Sequence, residues 1–249
     1  MSDTRGIFSL KIVYNKKIRD EWISLNDVWI SPSPSPSNSP TPNTGYFGGG
    51  YDGTSPRATM EKVTYSSDTT AEVPGAALSV GRYGLAATGS STAGYFGGGF
   101  DSVLAVRSTM DKVTYASDTT AQVPGAALSA ACRLLAATGN STAGYFGGGS
   151  GPRSTMDKVT YSSDTTAAVP GAALSDARQY LAATGNSTAG YFGGGGYPYF
   201  STMDKVTYSS DTTAAVPGAA LSGVRYSLAA SSARANALPQ PTYPAPVNV

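Results

Sequence analysis

A four-bladed β-propeller, all-β and closed on itself, is the fold this sequence predicts, on three observations. The first is internal repetition: GYFGGG recurs at 45–50, 94–99, 144–149 and 190–195, each time followed by T-M-[DE]-K-V-T-Y, then S-D-T-T-A, then V-P-G-A-A-L-S. The second is the β character of each unit, in which alternating and β-branched residues lie between turn formers. The third is that the ends of the repeat region complement one another. Unit one starts at its second strand, Gly45, while the last unit leaves a lone first strand, Leu228-Ala229-Ala230.

The unit itself reads as four short strands. In the second unit these are 85–89 (LAATG), 94–99 (GYFGGG), 111–115 (DKVTY) and a strand around Ala121 to Val123, stopped by Pro124-Gly125. Gly-Gly-Gly and Pro-Gly in every unit argue against a helical repeat. Starts of GYFGGG are 49, 50 and 46 residues apart, and the connection after it has 8, 9, 5 or 6 residues. Subtracting the first three of these lengths from the three spacings leaves 41 each time, so all length variation sits in that one loop. Four strands in 40–50 residues is the signature of a propeller blade. Pairing 228–230 with the first blade would close the ring and remove open sheet edges. The Ala-Ala pairs at 86–87, 136–137, 182–183 and 229–230 would suit a crowded axis. An open solenoid and a ring completed between chains are the alternatives the pattern leaves.

Four regions follow. Residues 1–30 form an expected anchor segment holding both tryptophans, Trp22 and Trp29, with Phe8, Leu10, Ile12 and Tyr14 alternating as a strand would. Thirty residues bury little by themselves, so a partner surface or a disordered tail is the expectation. Residues 31–44, SPSPSPSNSPTPNT, carry five prolines and no apolar residue, a stiff solvated linker. The repeat ring spans 45–232, and 233–249 is a Pro-rich tail.

Composition excludes much chemistry. The 249 residues include no histidine and one cysteine, so imidazole mechanisms, His-ligated metals, disulfide frameworks and Cys-clustered zinc are ruled out. A net charge of +1 gives no electrostatic case for nucleic acid or an acidic membrane. No apolar run reaches the roughly 18 residues of a membrane span, and MSDTRGIFSL is no signal peptide. Beyond residue 30 only Glu61 and Glu72 are glutamates, which leaves no acid/base pair for glycoside hydrolysis. The glycine triplets lack the Lys-Ser/Thr of a phosphate-binding loop. No enzyme activity, cofactor or metal is expected. The adjacent Glu61-Lys62, Asp111-Lys112, Asp157-Lys158 and Asp204-Lys205 point to opposite faces of a strand and read as turn and blade-to-blade ion pairs.

The unit resembles a kelch repeat. An Arg shortly precedes strand one (Arg82, Arg178, Arg225), an aromatic strand ends in glycines, and a Tyr closes strand three (Tyr65, Tyr115, Tyr161, Tyr208). It departs from that pattern in lacking the Trp that follows the Tyr, and in placing Cys132 where other units have Arg. The longer pattern GIFSLKIVY…W…DVWISPSPSP followed by GYFGGG repeats is similar to structural proteins of tailed phages, cyanophages especially. That resemblance implies a virion component made in the host cytoplasm: a tail fibre, tail-tip protein or capsid decoration. It implies contacts with other virion proteins through 1–30, and several copies per particle.

Loops joining strands two to three and four to one must emerge on one face of an antiparallel blade, and these are the loops that vary. They are 51–58, 100–108, 150–154 and 196–201, with 80–84, 130–134, 176–180 and 223–227. The opposite loops, N-S-T-A or S-S-T-A and S-D-T-T, hardly change. A constant scaffold with one variable face is how rigid folds carry binding sites. Tyr51, Asp52, Arg57, Tyr83, Phe100, Asp101, Arg107, Arg153, Tyr180, Tyr197, Tyr199, Phe200 and Tyr226 are the candidate ligand contacts. Aromatic rings would stack on a host-surface sugar, and the charged groups would bond hydroxyls. Subunit contact and neutral drift are the competing readings of the same loops.

Overall fold

The computed structural model describes residues 44–232. The expected anchor residues Phe8, Leu10, Ile12, Tyr14, Trp22 and Trp29 lie outside the described residues, as do most of the linker and the tail.

The described chain is all-β. Repeat one contributes β1 (Thr44–Gly48), β2 (Met60–Thr64) and β3 (Thr69–Glu72); β4 (Arg82–Tyr83) follows in its closing loop. Repeat two gives β5 (Ala86–Gly89), β6 (Ala93–Gly97), β7 (Phe100–Asp101), β8 (Met110–Thr114) and β9 (Thr119–Gln122). Repeat three gives β10 (Ala136–Gly139), β11 (Ala143–Gly147), β12 (Met156–Thr160) and β13 (Thr165–Ala168). Repeat four gives β14 (Ala182–Gly185), β15 (Ala189–Gly193), β16 (Met203–Thr207) and β17 (Thr212–Ala215). Three antiparallel meanders of four strands result, β5-β6-β8-β9, β10-β11-β12-β13 and β14-β15-β16-β17, while the first sheet has three strands, β1-β2-β3. The Val-Pro-Gly-Ala segments make one-turn 3-10 helices, for example Pro74–Ala76.

Register fixes what each face carries. Tyr95 stands opposite Lys112, and Phe96 opposite Asp111, with the same register in every repeat and Glu61 in the aspartate's place in the first. Because side chains alternate across a strand, Tyr and Lys share one face and Phe and Asp the other. Sheets stack with the Tyr face of one repeat against the Phe face of the next. Three cores form this way. Met60, Ala76 and Leu78 meet Phe96 and Val113; Tyr95, Met110 and Leu128 meet Phe146 and Val159; Tyr145, Met156 and Leu174 meet Phe192 and Val206. The glycine that recurs at the end of each second strand has a steric reason. A Cβ on Gly97 would lie 3.0 Å from the Phe146 ring of the next sheet and 2.7 Å from Met110 Cε. Gly98 turns the chain out of the strand at φ +73, a left-handed conformation that glycine enters without strain.

Each junction is locked by the same polar set. Lys62 Nζ reaches both oxygens of Asp118 at 2.8 and 2.9 Å, Lys112 those of Asp164, and Lys158 those of Asp211; Tyr46, Tyr95 and Tyr145 donate to the same carboxylates. The Tyr rings stack on the Tyr of the following repeat, Tyr46 on Tyr115, Tyr95 on Tyr161 and Tyr145 on Tyr208, at 4.8 to 5.0 Å. The Asp-Lys neighbours therefore do not pair with each other; Lys62, Lys112 and Lys158 each cross to the next repeat, so these ion pairs join one repeat to another. Lys62 and Tyr46 hold the Asp118 carboxyl below its usual range. For Asp164 and Asp211 burial opposes, but the Lys and Tyr bonds prevail and hold these carboxyls low too. On the other face Arg82 and Asp111 form a fully buried pair at 2.6 Å, and Arg178 and Asp204 another at 2.5 Å.

The expected ring does not close within the described residues. Residues 228–232 form no strand and lie beside β14, with Thr184 Oγ1 donating to Ser231 O at 3.0 Å. The first sheet correspondingly lacks its fourth strand. The first strands of the repeats lie side by side, β5 beside β10 and β10 beside β14, and 228–232 continue that series beside β14.

Candidate functional site

The variable loops do meet. The loop closing one repeat pairs with the second-to-third-strand loop of the next, through β4 with β7 (Arg82↔Asp101, Tyr83↔Phe100) and through Gln179↔Gly196. Within repeats the same loops join by Arg82 N to Arg57 O and Arg178 N to Arg153 O, each 3.0 Å. The closing loops are further joined to one another: Leu134 N donates to Gly84 O, Tyr180 N to Leu134 O and Ser227 N to Tyr180 O, at 2.7 to 2.9 Å. This backbone ladder runs across all four repeats and sets the spacing of the side chains that project from it.

Two aromatic groups result. In the first, Tyr51 packs on Tyr83 at 5.3 Å, Tyr83 meets Phe100 edge-on at 5.5 Å, and Arg133 lies 4.3 Å over the Phe100 ring. In the second, Tyr180 contacts Tyr197 and Tyr226, and Tyr199 stacks on Tyr226 at 5.1 Å and 17°. Tyr51, Tyr197, Tyr199 and Tyr226 keep 48% to 57% of their surface exposed, so each group offers free ring faces. Phe200 is turned inward over the Arg178 guanidinium.

Several of these side chains sit where the backbone resists them. Leu134, Tyr180 and Ser227 occupy the position of Gly84, all with φ between +53 and +65. Tyr197 at φ +64 and Leu104 at φ +58 repeat this in the other loops. A left-handed L-residue costs roughly 1–2 kcal/mol, and such strain concentrates at functional loops. The sequence carried a signal for it: a glycine in one repeat, aligned with bulky residues in the others, marks a φ above zero. Arg133, one residue after Cys132, is the member of the surface that sequence reasoning missed.

The acidic candidates behave differently from the aromatic ones. Asp52 accepts from the amides of Thr54 and Ser55 at 2.8 and 2.7 Å and pairs with Arg57 at 3.3 Å. Asp101 is buried, accepting from the amides of Val103 and Ala105 and held by Arg107. Backbone donors hold both carboxyls below their usual range. Both shape their own loops, and each takes up an arginine of the same loop, Asp52 pairing with Arg57 and Asp101 with Arg107.

Cys132 is buried, its Sγ 3.4 Å from Gly148 O, and burial pushes its thiol pKa up, which disfavours the nucleophilic thiolate. It stands where Arg82 and Arg178 reach their aspartates, so Asp157 keeps only the Ser129 amide, at 3.0 Å, with Oδ1 unbonded. A cleft on the opposite face is lined by Asn140, Thr142, Thr188, Lys205 and Tyr208, without a carboxylate. Among the described residues no three His, Cys, Asp or Glu side chains gather as a metal site, and no helix is long and apolar enough to cross a membrane. No protein-family model matches the chain, and no curated protein matches it either.

Proposed function

We propose that this chain is a recognition module without enzymatic activity, of the tail-fibre or tail-tip kind in a phage virion, whose kelch-like blades hold the variable loops toward a host-surface component, for instance a polysaccharide. The observation that carries the recognition reading is the Tyr180, Tyr197, Tyr199 and Tyr226 group. It combines exposed rings with left-handed backbone at Tyr180 and Tyr197, on a scaffold whose other face hardly varies. Flat aromatic surfaces suit sugar rings, and Arg133 over Phe100 in the other aromatic group would favour acidic ones. Residues 1–30 would then dock the module to other virion proteins. Several copies on one particle would make weak single sites sufficient. The virion assignment itself rests on the sequence resemblance alone.

A purely architectural role, a capsid or tail decoration, is the second reading. Val103 and Leu104, which protrude from the 100–108 loop with most of their surface exposed, favour it as a contact with a neighbouring protein. A soluble kelch-type adaptor is a third. Replacing loops 51–58 and 196–201 by Gly-Ser separates the first two: recognition predicts particles that assemble but do not attach, and architecture predicts particles that lack the protein or fall apart. Antibody labelling of purified particles in the electron microscope tests the virion assignment, which fails if no particle is labelled. The four-bladed ring expected from the sequence would need Phe47 to reach Gly193 of the same chain, and the structure leaves Gly193 with only Met203 near its open side.

A further inference from the structure

We propose that copies of this chain join head to tail, the fourth sheet of one copy against the first sheet of the next, with residues 228–231 of one supplying the missing first strand of the other. Three junctions between repeats are formed inside the chain, all by one set of partners. The two end faces carry the two halves of a fourth set, and each half is unmatched among the described residues.

On the fourth repeat the unmatched half is the Tyr face. Tyr191 and Lys205 stand opposite each other as Tyr46 and Lys62 do, yet neither has the carboxylate partner that Asp118, Asp164 and Asp211 give the other three. Gly193 is open where Gly48, Gly97 and Gly147 each receive a Phe ring. Met203 is only half-buried, whereas Met60, Met110 and Met156 are enclosed. Arg225 bonds only Ser222 Oγ and Gly223 O in its own loop, where Arg82 and Arg178 find an aspartate of the following sheet.

On the first repeat the unmatched half is the Phe face. Phe47 is 66% exposed, while Phe96, Phe146 and Phe192 are 5%, 2% and 0% exposed. Tyr65 is exposed, while its equivalents Tyr115, Tyr161 and Tyr208 stack on the preceding repeat. Asp68 has the same left-handed turn as Asp118, Asp164 and Asp211 but no lysine. Glu61 stands where Asp111 and Asp204 receive Arg, and Thr70 where Thr120, Thr166 and Thr213 donate to the alanine carbonyl of the preceding repeat. The face that closes each internal junction is therefore present, with its partners, at the opposite end of the molecule. A second copy offers it with the chemistry already used three times.

Strand pairing completes the match. One edge of β1 is unpaired among the described residues, and such an edge recruits a strand. The first strands of the complete repeats pair as Ala86↔Gly97, Ala87↔Phe96 and Thr88↔Tyr95. The same register sets Ala229 of one copy opposite Gly48 of the next, Ala230 opposite Phe47, and Ser231 opposite Tyr46. A heterologous contact of this kind generates a closed ring or an open filament.

Full-length Phe47→Cys and Ala230→Cys proteins, mixed and oxidised, test this directly, because directly opposed strand positions lie within disulfide range. The expected result is a covalent heterodimer, accompanied by a mass in light scattering that rises with concentration. Two outcomes overturn the proposal: a monomeric mass with no cross-link on mixing, or an intramolecular bond in the Phe47→Cys/Ala230→Cys double variant with none between mixed single variants. Asp68→Lys supplies a second readout that does not depend on oxidation. Asp68 has no side-chain partner among the described residues, so their fold does not rest on its carboxylate, and the dissociation concentration should rise roughly tenfold for loss of the charge-assisted contact to Lys205. An unchanged dissociation concentration would also count against the proposal.

Discussion

Replacing Arg82 by Met isolates the energetics of a single junction. Arg82 is fully buried, and its guanidinium donates to Gly98 O at 2.6 Å, Thr109 O at 2.8 Å and Asp111 Oδ2 at 2.6 Å. Methionine fills much of the side-chain volume and removes the charge. Asp111 then keeps only the Ser79 amide at 3.2 Å, with Oδ1 already unbonded. Breaking a buried pair by removing one partner costs about 3–5 kcal/mol, because the surviving charge stays desolvated. The Arg82→Met/Asp111→Leu double variant removes that orphaned carboxylate. It should recover roughly half of the loss, and what remains reflects Gly98 O left without a donor, at about 1–3 kcal/mol, since Thr109 O keeps the Gly98 amide at 3.0 Å. Urea unfolding followed by far-UV circular dichroism measures both, provided the slope m stays constant. Repeat arrays can unfold in parts, so hydrogen exchange at β6 and β8 serves as the local readout. A single-variant loss below about 1 kcal/mol, or a double variant no more stable than the single, would refute the reasoning.

Other perturbations follow from the same contacts. Cys132→Arg places a guanidinium before the unmatched Asp157 and should stabilise the chain by about 1.5–3 kcal/mol in the same urea assay. Asp118, Asp164 and Asp211 have lowered folded pKa values, so their contribution is complete above the unfolded value of about 3.9 and fades as pH falls through the folded values. The urea midpoint should therefore drop on acidification below about pH 4. Burial pushes Tyr115 and Tyr208 up to about 12, so stability should hold below about pH 10 and decline as pH rises through that higher value. Ser227→Gly relieves a left-handed residue on an exposed loop and should add about 0.5–1 kcal/mol, read as a higher urea midpoint.

Much of this architecture is legible in the sequence because its local rules agree. Alternation in M-D-K-V-T, the Pro-Gly stop and the turn-forming S-S-D-T-T each specify a strand or its end, and β8, β9 and their equivalents fall within a residue or two of the expected positions. The aromatic members of the surface were also legible, since loop variation against a constant unit singles out Tyr180, Tyr197, Tyr199 and Tyr226. The roles of Asp52 and Asp101 were not, because an aspartate that caps its own loop and one that awaits a ligand look alike in a string of letters. Arg133 was hidden by its offset from the repeat pattern; only the contact with Phe100 of the preceding loop reveals it. Closure was the least legible feature. Complementary ends predict that a junction forms, but the pairing pattern is the same whether both halves belong to one chain or to two.

The claim that the variable aromatic face is a recognition surface is tested most directly by binding to a panel of immobilised bacterial surface polysaccharides. The full-length protein would be compared with its Tyr199→Ala/Tyr226→Ala variant, with circular dichroism confirming that both are folded. The account predicts that the unaltered protein retains at least one polysaccharide and that the variant loses it at unchanged stability. Equal retention of the same polysaccharide by both proteins would contradict it.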